Sequence, residues 1–129
     1  MKAHHAGMAL SDTVERLSLP AQGPSVRSEN MSVGVIIEHH VRPGSRDSVR
    51  AIWEEFLRPA ITANAAHEAY AYMYDVDNPD VIRAFQQYSD TEAASAFLTT
   101  PAYAAYVSAV EDLLVGPPSV IRTDVIWTK

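Results

Sequence analysis

From Val33 onward the chain separates into blocks with a two-residue rhythm and blocks with a helical rhythm. Val33, Val35, Ile37 and Val41 alternate with Gly34, Ile36, Glu38 and His40, which predicts a strand with one strongly apolar face. The sequence RPGS, 42–45, turns the chain. Val49, Ile52, Trp53, Phe56 and Ala60 then recur at helical spacing, predicting an amphipathic helix over 46–65 that Pro59 kinks near its C-terminal third. In HEAYAYMYDVD, 67–77, Tyr70, Tyr72 and Tyr74 stand two apart, so a strand over 68–76 sends three phenols to one face. DVDNPD closes that strand, and a third strand covers 81–88. Asp90 is placed to cap a short helix ending near Leu98. Thr100 followed by Pro101 opens another, with Tyr103, Tyr106, Val107, Val110 and Leu114 on one side. Gly116, Pro117 and Pro118 stop it, and SVIRTDVIW, 119–127, is the final strand.

The order β-α-β-β-α-α-β predicts an α+β, ferredoxin-like fold, a four-stranded antiparallel sheet with its helices on one face. The other face combines Ile36, Phe85 and residues of the last strand with Glu38, His40, Arg83 and Gln87. A face so mixed is expected to meet a second subunit.

Residues 1–32 break the pattern, being rich in Ser, Pro, Gly and Ala, and SLPAQGPSVRSEN reads as a loose tail. The expected division is a flexible leader, 1–32, and a folded domain, 33–129. The leader offers one candidate element, a short helix over SDTVERL capped by Ser11 or Asp12. Met31 is a candidate alternative start, which the intact mass of the natively expressed protein settles.

Composition narrows the chemistry. A chain of 129 residues, 47% apolar and 20% charged, suits one globular domain. A net charge of -6 without a basic cluster argues against a nucleic-acid partner. The absence of cysteine removes disulfides, thiolate catalysis and Cys-based zinc sites. No apolar run approaches the ~20 residues that span a bilayer, and the start lacks the apolar stretch of a secretory signal, so a cytoplasmic protein without membrane contact is expected. No His/Asp/Glu spacing suggests a metal site. There is no G-x-G-x-x-G, P-loop or G-x-S-x-G, which leaves acid–base chemistry in an apolar pocket, with no cofactor expected.

The stretch FQQYSDTEAASAFLTTPAYAAY, 85–106, with VRPG at 41–44 and GPP at 116–118, resembles the antibiotic biosynthesis monooxygenase family. The resemblance spans Val33–Lys129 and implies a homodimeric α/β barrel in which two ferredoxin-like sheets pack face to face. It also implies a ligand cavity between each sheet and its own helices. The family's two usual histidines fall on Phe97 and Ala102, its glutamate on Gln86, its first-strand asparagine on Ile37 and its tryptophan on Tyr88. With Phe97 at the position of the axial histidine, haem degradation is not implied.

Strand alternation sends Val35, Ile37 and His39, then Ala84, Gln86 and Tyr88, to the same side as the three tyrosines. Glu38 and His40 face the other way, so His39 and His40 do not act together. Relatives tend to carry aliphatic or phenyl groups where Tyr70, Tyr72 and Tyr74 stand. The resemblance implies a cofactor-independent monooxygenase acting with molecular oxygen on a small electron-rich aromatic, polyketide- or quinol-like. His39 would be the base and Tyr72 and Tyr88 the catalytic donors. Tyr70, Tyr74, Gln86, Trp53, Phe97 and Tyr103 would bind substrate, with Gln86 orienting a carbonyl. Each ring also fits a plain core aromatic, Tyr74 above all, and His67 reads as a solvated loop residue. Two other functions stay open. One is a non-catalytic small-molecule-binding dimer, favoured by Phe97 with Ala102; the other is an isomerase or cyclase acting by proton transfer alone.

Overall fold

A computed structural model describes residues 31–129. Four strands, β1 (Val33–His40), β2 (His67–Tyr74), β3 (Val81–Tyr88) and β4 (Ser119–Asp124), form one antiparallel sheet in the order β2-β3-β1-β4. Helices α1 (Arg46–Phe56), α2 (Arg58–Ala63), α3 (Thr91–Phe97) and α4 (Pro101–Val110) cover one face, and a 3-10 turn, Glu111–Leu113, follows α4. This is the ferredoxin-like α+β fold expected from the element order. Residues 1–30 of the leader, its candidate helix among them, lie outside the described residues. Ser32 is tied to the sheet: its Oγ donates to Glu68 at 2.6 Å and its carbonyl accepts from the Val125 N–H at 3.1 Å.

Local chemistry sets the boundaries. The Ser45 N–H returns to the Arg42 carbonyl at 2.9 Å across Pro43-Gly44, with Gly44 at φ 78°, the signature of a type II turn. The Asp90 carboxylate accepts from the Ala93 N–H at 2.8 Å and the Thr100 hydroxyl from the Tyr103 N–H at 3.2 Å, so both expected caps are made. The expected single helix over 46–65 is corrected: it breaks at Leu57 into α1 and α2. Proline has no N–H to continue the ladder, so Pro59 sits near the start of a new helix instead of inside the old one. The last strand ends at Asp124, short of the expected 127. Beyond Val125, which bonds Ser32, no described residue pairs with the chain.

One departure from alternation matters for the site. Between His67 and Ala69 the β2–β3 register shifts, with His67 opposite Tyr88 and Ala69 opposite Gln87, so Glu68 is the extra residue of a bulge. Its carboxylate accepts from Ser32 and from Gln87 Nε2, both at 2.6 Å, which anchors the bulge.

Between sheet and helices, Val49, Trp53, Ile82, Tyr106 and Val110 belong to one buried core. No described residue of the single chain covers the opposite sheet face. It carries Ile36, Met73 and Ile121 at 37%, 41% and 54% exposure. Beside them Arg83 bridges Glu38 at 3.1 Å and pairs with Asp75, and His40 lies 2.7 Å from Glu38. No helix among the described residues is long and apolar enough to cross a membrane.

Candidate functional site

Under the helices the sheet encloses a cavity of about 50 Å³. Its floor comes from β1 (Ile37, His39), β2 (Tyr70, Tyr72) and β3 (Ile82, Ala84, Gln86), where a two-residue period turns one side chain in two toward the helices. Trp53 of α1, Phe97 of α3, and Tyr103 and Tyr106 of α4 close it. Among the described residues, no Lys, Arg, Asp or Glu lines it.

Seven of the nine side chains picked from the sequence meet here: His39, Trp53, Tyr70, Tyr72, Gln86, Phe97 and Tyr103. Two do not reach the wall, and both correct the expectation. Tyr74, at the end of β2, donates from Oη to Asp47 at 2.7 Å and lies under the Arg46 guanidinium, 3.9 Å from its ring centre. Tyr88 is buried off the cavity wall and its hydroxyl donates to Gln86 Oε1 at 2.6 Å, so that proton is not offered to the cavity.

The polar groups on the wall differ in what they have free. Trp53 Nε1 donates to Tyr70 Oη at 3.2 Å, and the Trp53 ring packs 4.2 Å from that of Tyr72. Tyr72 Oη and His39 Nδ1 are buried without a hydrogen-bond partner among the described residues. Groups of this kind cost roughly 1–3 kcal/mol each unless water or a ligand fills their valence, so their place on one cavity wall makes it the candidate ligand site.

Burial sets the protonation states. It pushes the imidazolium of His39 down to about 4, with the nearby His40 adding to the effect, so His39 is neutral at pH 7. Tyr70 is pushed up to about 12 by burial, partly opposed by the Trp53 N–H. Burial holds Tyr72, Tyr103 and Tyr106 well above the ordinary phenol range, with neighbouring tyrosines adding to it. The phenols therefore act as donors rather than bases at neutral pH.

The sequence reading missed His67. It is the first residue of β2, half-buried rather than in a solvated loop, with its ring 4.3 Å from Tyr88 and edge-on to Phe97 at 4.6 Å. Its Nε2 lies 3.0 Å from Gln86 Oε1 and its Nδ1 3.0 Å from Asn64 Nδ2. Burial lowers its pKa, against the opposing hydrogen bond to Gln86. Alternation gives no hint of this, because the bulge at Glu68 brings His67 to the same side as Tyr70 at odd spacing. Among the described residues no three of His, Asp or Glu stand close enough to hold a metal ion.

The profile of one family, described as "Antibiotic biosynthesis monooxygenase", matches residues 32–109. Among solved structures, the chain is similar to a protein of Chloroflexus aurantiacus provisionally named as an antibiotic biosynthesis monooxygenase. The identity is 20%, the TM-score 0.67, and the match covers 76% of this chain and 96% of that one. A Caulobacter crescentus protein with the same provisional name matches at 14% identity and TM-score 0.71, over 78% of this chain and 94% of the other. A Mycobacterium tuberculosis protein matches at 24% identity and TM-score 0.66, over 75% and 97%. At such identities the structures speak for the fold alone. No curated protein matches the sequence.

Proposed function

The chain belongs to the antibiotic biosynthesis monooxygenase family, and from that premise we propose that it is a cofactor-independent monooxygenase acting on a small, neutral, electron-rich aromatic in the cavity beneath its helices. One observation carries the proposal: two buried polar atoms without partners, His39 Nδ1 and Tyr72 Oη, share the wall of an otherwise apolar cavity. With no cation among the described residues of the wall, a carboxylate or phosphate substrate would be desolvated without compensation, so the substrate is neutral when it enters. Size favours one ring. A water molecule needs roughly 10–15 Å³ and benzene fits a cavity of roughly 150 Å³, so about 50 Å³ holds a few waters, a monocyclic quinol needs the walls to give, and a tricyclic substrate needs the helices to move much further.

In this mechanism His39 takes the proton of the substrate and Tyr72 donates to the oxyanion that forms. The anion gives an electron to oxygen, and the two radicals combine in a new C–O bond. His39 returns the proton to the peroxide, and loss of water leaves a carbonyl. The substrate loses two hydrogens, and one molecule of oxygen ends as that carbonyl and one water.

The energetics show why the anion must be bound. Moving a proton from a phenol near 10 to an imidazole at about 4 is uphill by about 8 kcal/mol. An imidazolium and a phenolate about 4 Å apart recover roughly 4 kcal/mol at an effective dielectric constant near 20. A hydrogen bond from Tyr72 to the charged oxygen adds roughly 1.5–3 kcal/mol. The residue is a few kcal/mol before the substrate anion's own burial is counted, and that burial, which lifts the neighbouring phenols, adds to what the enzyme must offset. On the same reading a homodimer is expected, its second copy covering the open sheet face.

Oxygen uptake with monocyclic hydroquinones and with anthrone-type tricyclics tests the proposal, comparing wild type with His39→Ala and Tyr72→Phe. Uptake with a monocyclic substrate, reduced at least tenfold in each variant, is expected; equal rates in all three proteins sink the assignment. The low basicity of His39 favours a second reading, ligand binding without turnover. Tight binding of a quinol with no oxygen uptake in wild type would select it.

A further inference from the structure

A chain of hydrogen bonds runs from the backbone into the cavity, and its direction is fixed at its start. The Ala66 N–H can only donate, and it donates to Asn64 Oδ1 at 3.3 Å. That orients the Asn64 amide with Nδ2 toward His67, 3.0 Å from Nδ1, so Nδ1 must accept. The ring proton of neutral His67 is then on Nε2, which donates to Gln86 Oε1 at 3.0 Å. Tyr88 Oη donates to the same oxygen at 2.6 Å. Both acceptor positions of Oε1 are occupied, and what Gln86 has left for the cavity it lines is its amide N–H.

We propose that Gln86 presents a fixed hydrogen-bond donor to an acceptor oxygen of the bound molecule, and that His67 is the positioning residue that holds it in that orientation. The consequence is specificity. Opposite Gln86 the site takes a carbonyl or an ionised oxygen and discriminates against a methylene in its place. Had a carboxylate stood at 86, the same two donors would have held it and the cavity would have met an acceptor. The proposal rests on the reading that ligands bind in this cavity, and it does not depend on any reaction with oxygen.

The test uses two monocyclic probes of nearly one shape, acetophenone and α-methylstyrene, which differ by C=O against C=CH₂. Binding to the full-length protein is measured by calorimetry, and the infrared stretch of ¹³C-labelled acetophenone reports its hydrogen bond. Wild type should favour acetophenone by roughly three- to tenfold and lower its carbonyl frequency, the effect of one net hydrogen bond. His67→Phe keeps an aromatic ring against Tyr88 and Phe97 but no donor, and should bring the ratio near one and abolish the shift. His67→Gln keeps a donor at the position of Nε2 and should restore both. Gln86→Leu should abolish both.

Wild-type preference and shift retained in His67→Phe, or in Gln86→Leu, would overturn the proposal. So would equal binding, or no binding, of the two probes by wild type. Nitrogen chemical shifts of the His67 ring in the wild-type protein give a check that needs no variant. The Nε2–H tautomer is expected, and Nδ1–H overturns the chain of donors. None of these measurements involves turnover, so a failed oxygen-uptake assay and a failed donor assignment are read separately.

Discussion

Replacing Tyr72 by phenylalanine removes one oxygen from a packed ring, and the structure gives that oxygen two opposite values. In the free protein Tyr72 Oη is buried without a partner among the described residues, while in the unfolded chain it is fully hydrated. The folded state therefore carries a penalty of roughly 1–3 kcal/mol that Tyr72→Phe relieves. A net gain of only about 1 kcal/mol raises the melting temperature by about 4–8 °C in a domain of roughly 100 residues. If Tyr72 donates to the oxyanion, losing a charge-assisted bond of roughly 1.5–3 kcal/mol lowers kcat/KM by roughly 10- to 150-fold. The variant should thus be more stable and less active. Thermal and urea unfolding followed by circular dichroism read the first effect, and oxygen uptake with a monocyclic hydroquinone reads the second. Tyr70→Phe is the control, because Tyr70 Oη already accepts from Trp53 Nε1 at 3.2 Å and its loss should cost about 1 kcal/mol. A Tyr72→Phe protein that melts several degrees below wild type would show that the hydroxyl is satisfied, and the reasoning would fail. Unchanged kcat/KM in an active enzyme would remove Tyr72 from catalysis.

Three further outcomes are expected. The unfolded chain protonates its histidines as pH falls through about 6.5, whereas folded His39 resists until about 4, so the unfolded state binds more protons in that window and stability falls with pH by about 3 kcal/mol. His67, also lowered, acts in the same direction, and urea midpoints between pH 7 and 4.5 should fall less steeply in His39→Leu; equal slopes would refute the assignment. A Cβ at Gly34 would stand 2.6 Å from Thr123 Oγ1 and 3.1 Å from Phe85 Cε1, so Gly34→Ala should destabilise by about 1–3 kcal/mol, with Thr123→Ala in the same chain recovering part of the loss on urea unfolding. Ile121→Arg on the open sheet face should turn a dimer into a monomer by light scattering, and an unchanged mass would place the interface elsewhere.

The fold was largely legible because its signals are local. Alternation in 33–41 and 81–88, helical spacing in Val49, Ile52, Trp53 and Phe56, and two side-chain caps each act within a few residues. The errors come where a distant or missing partner decides. Proline's effect on a helix reads as a kink from sequence, but the structure answers with two helices meeting at Leu57. The last strand continues in pattern to Trp127, but a strand exists only where another backbone pairs with it, and β1 has run out.

The site divides along the same line. Side chains reaching the cavity by strict alternation, such as His39, Tyr72 and Gln86, could be placed by counting from a strand's centre. Tyr74 keeps the right parity but stands at the strand's end, where Asp47 and Arg46 draw it aside, so parity fixes a face without fixing depth. Tyr88 also keeps parity, yet it does not line the cavity and its hydroxyl is spent on Gln86. His67 inverts the case. Its parity is wrong for the helix face, and one inserted residue, Glu68, corrects it at no visible cost in composition. The bulge is held by Ser32 and Gln87, residues 36 and 19 positions away in the chain, so no window around HEAY contains its cause. A histidine at a strand's entrance is therefore best assigned only after the register of its neighbour is known. Here that register converts a residue expected in solvent into the one that sets the direction of Gln86.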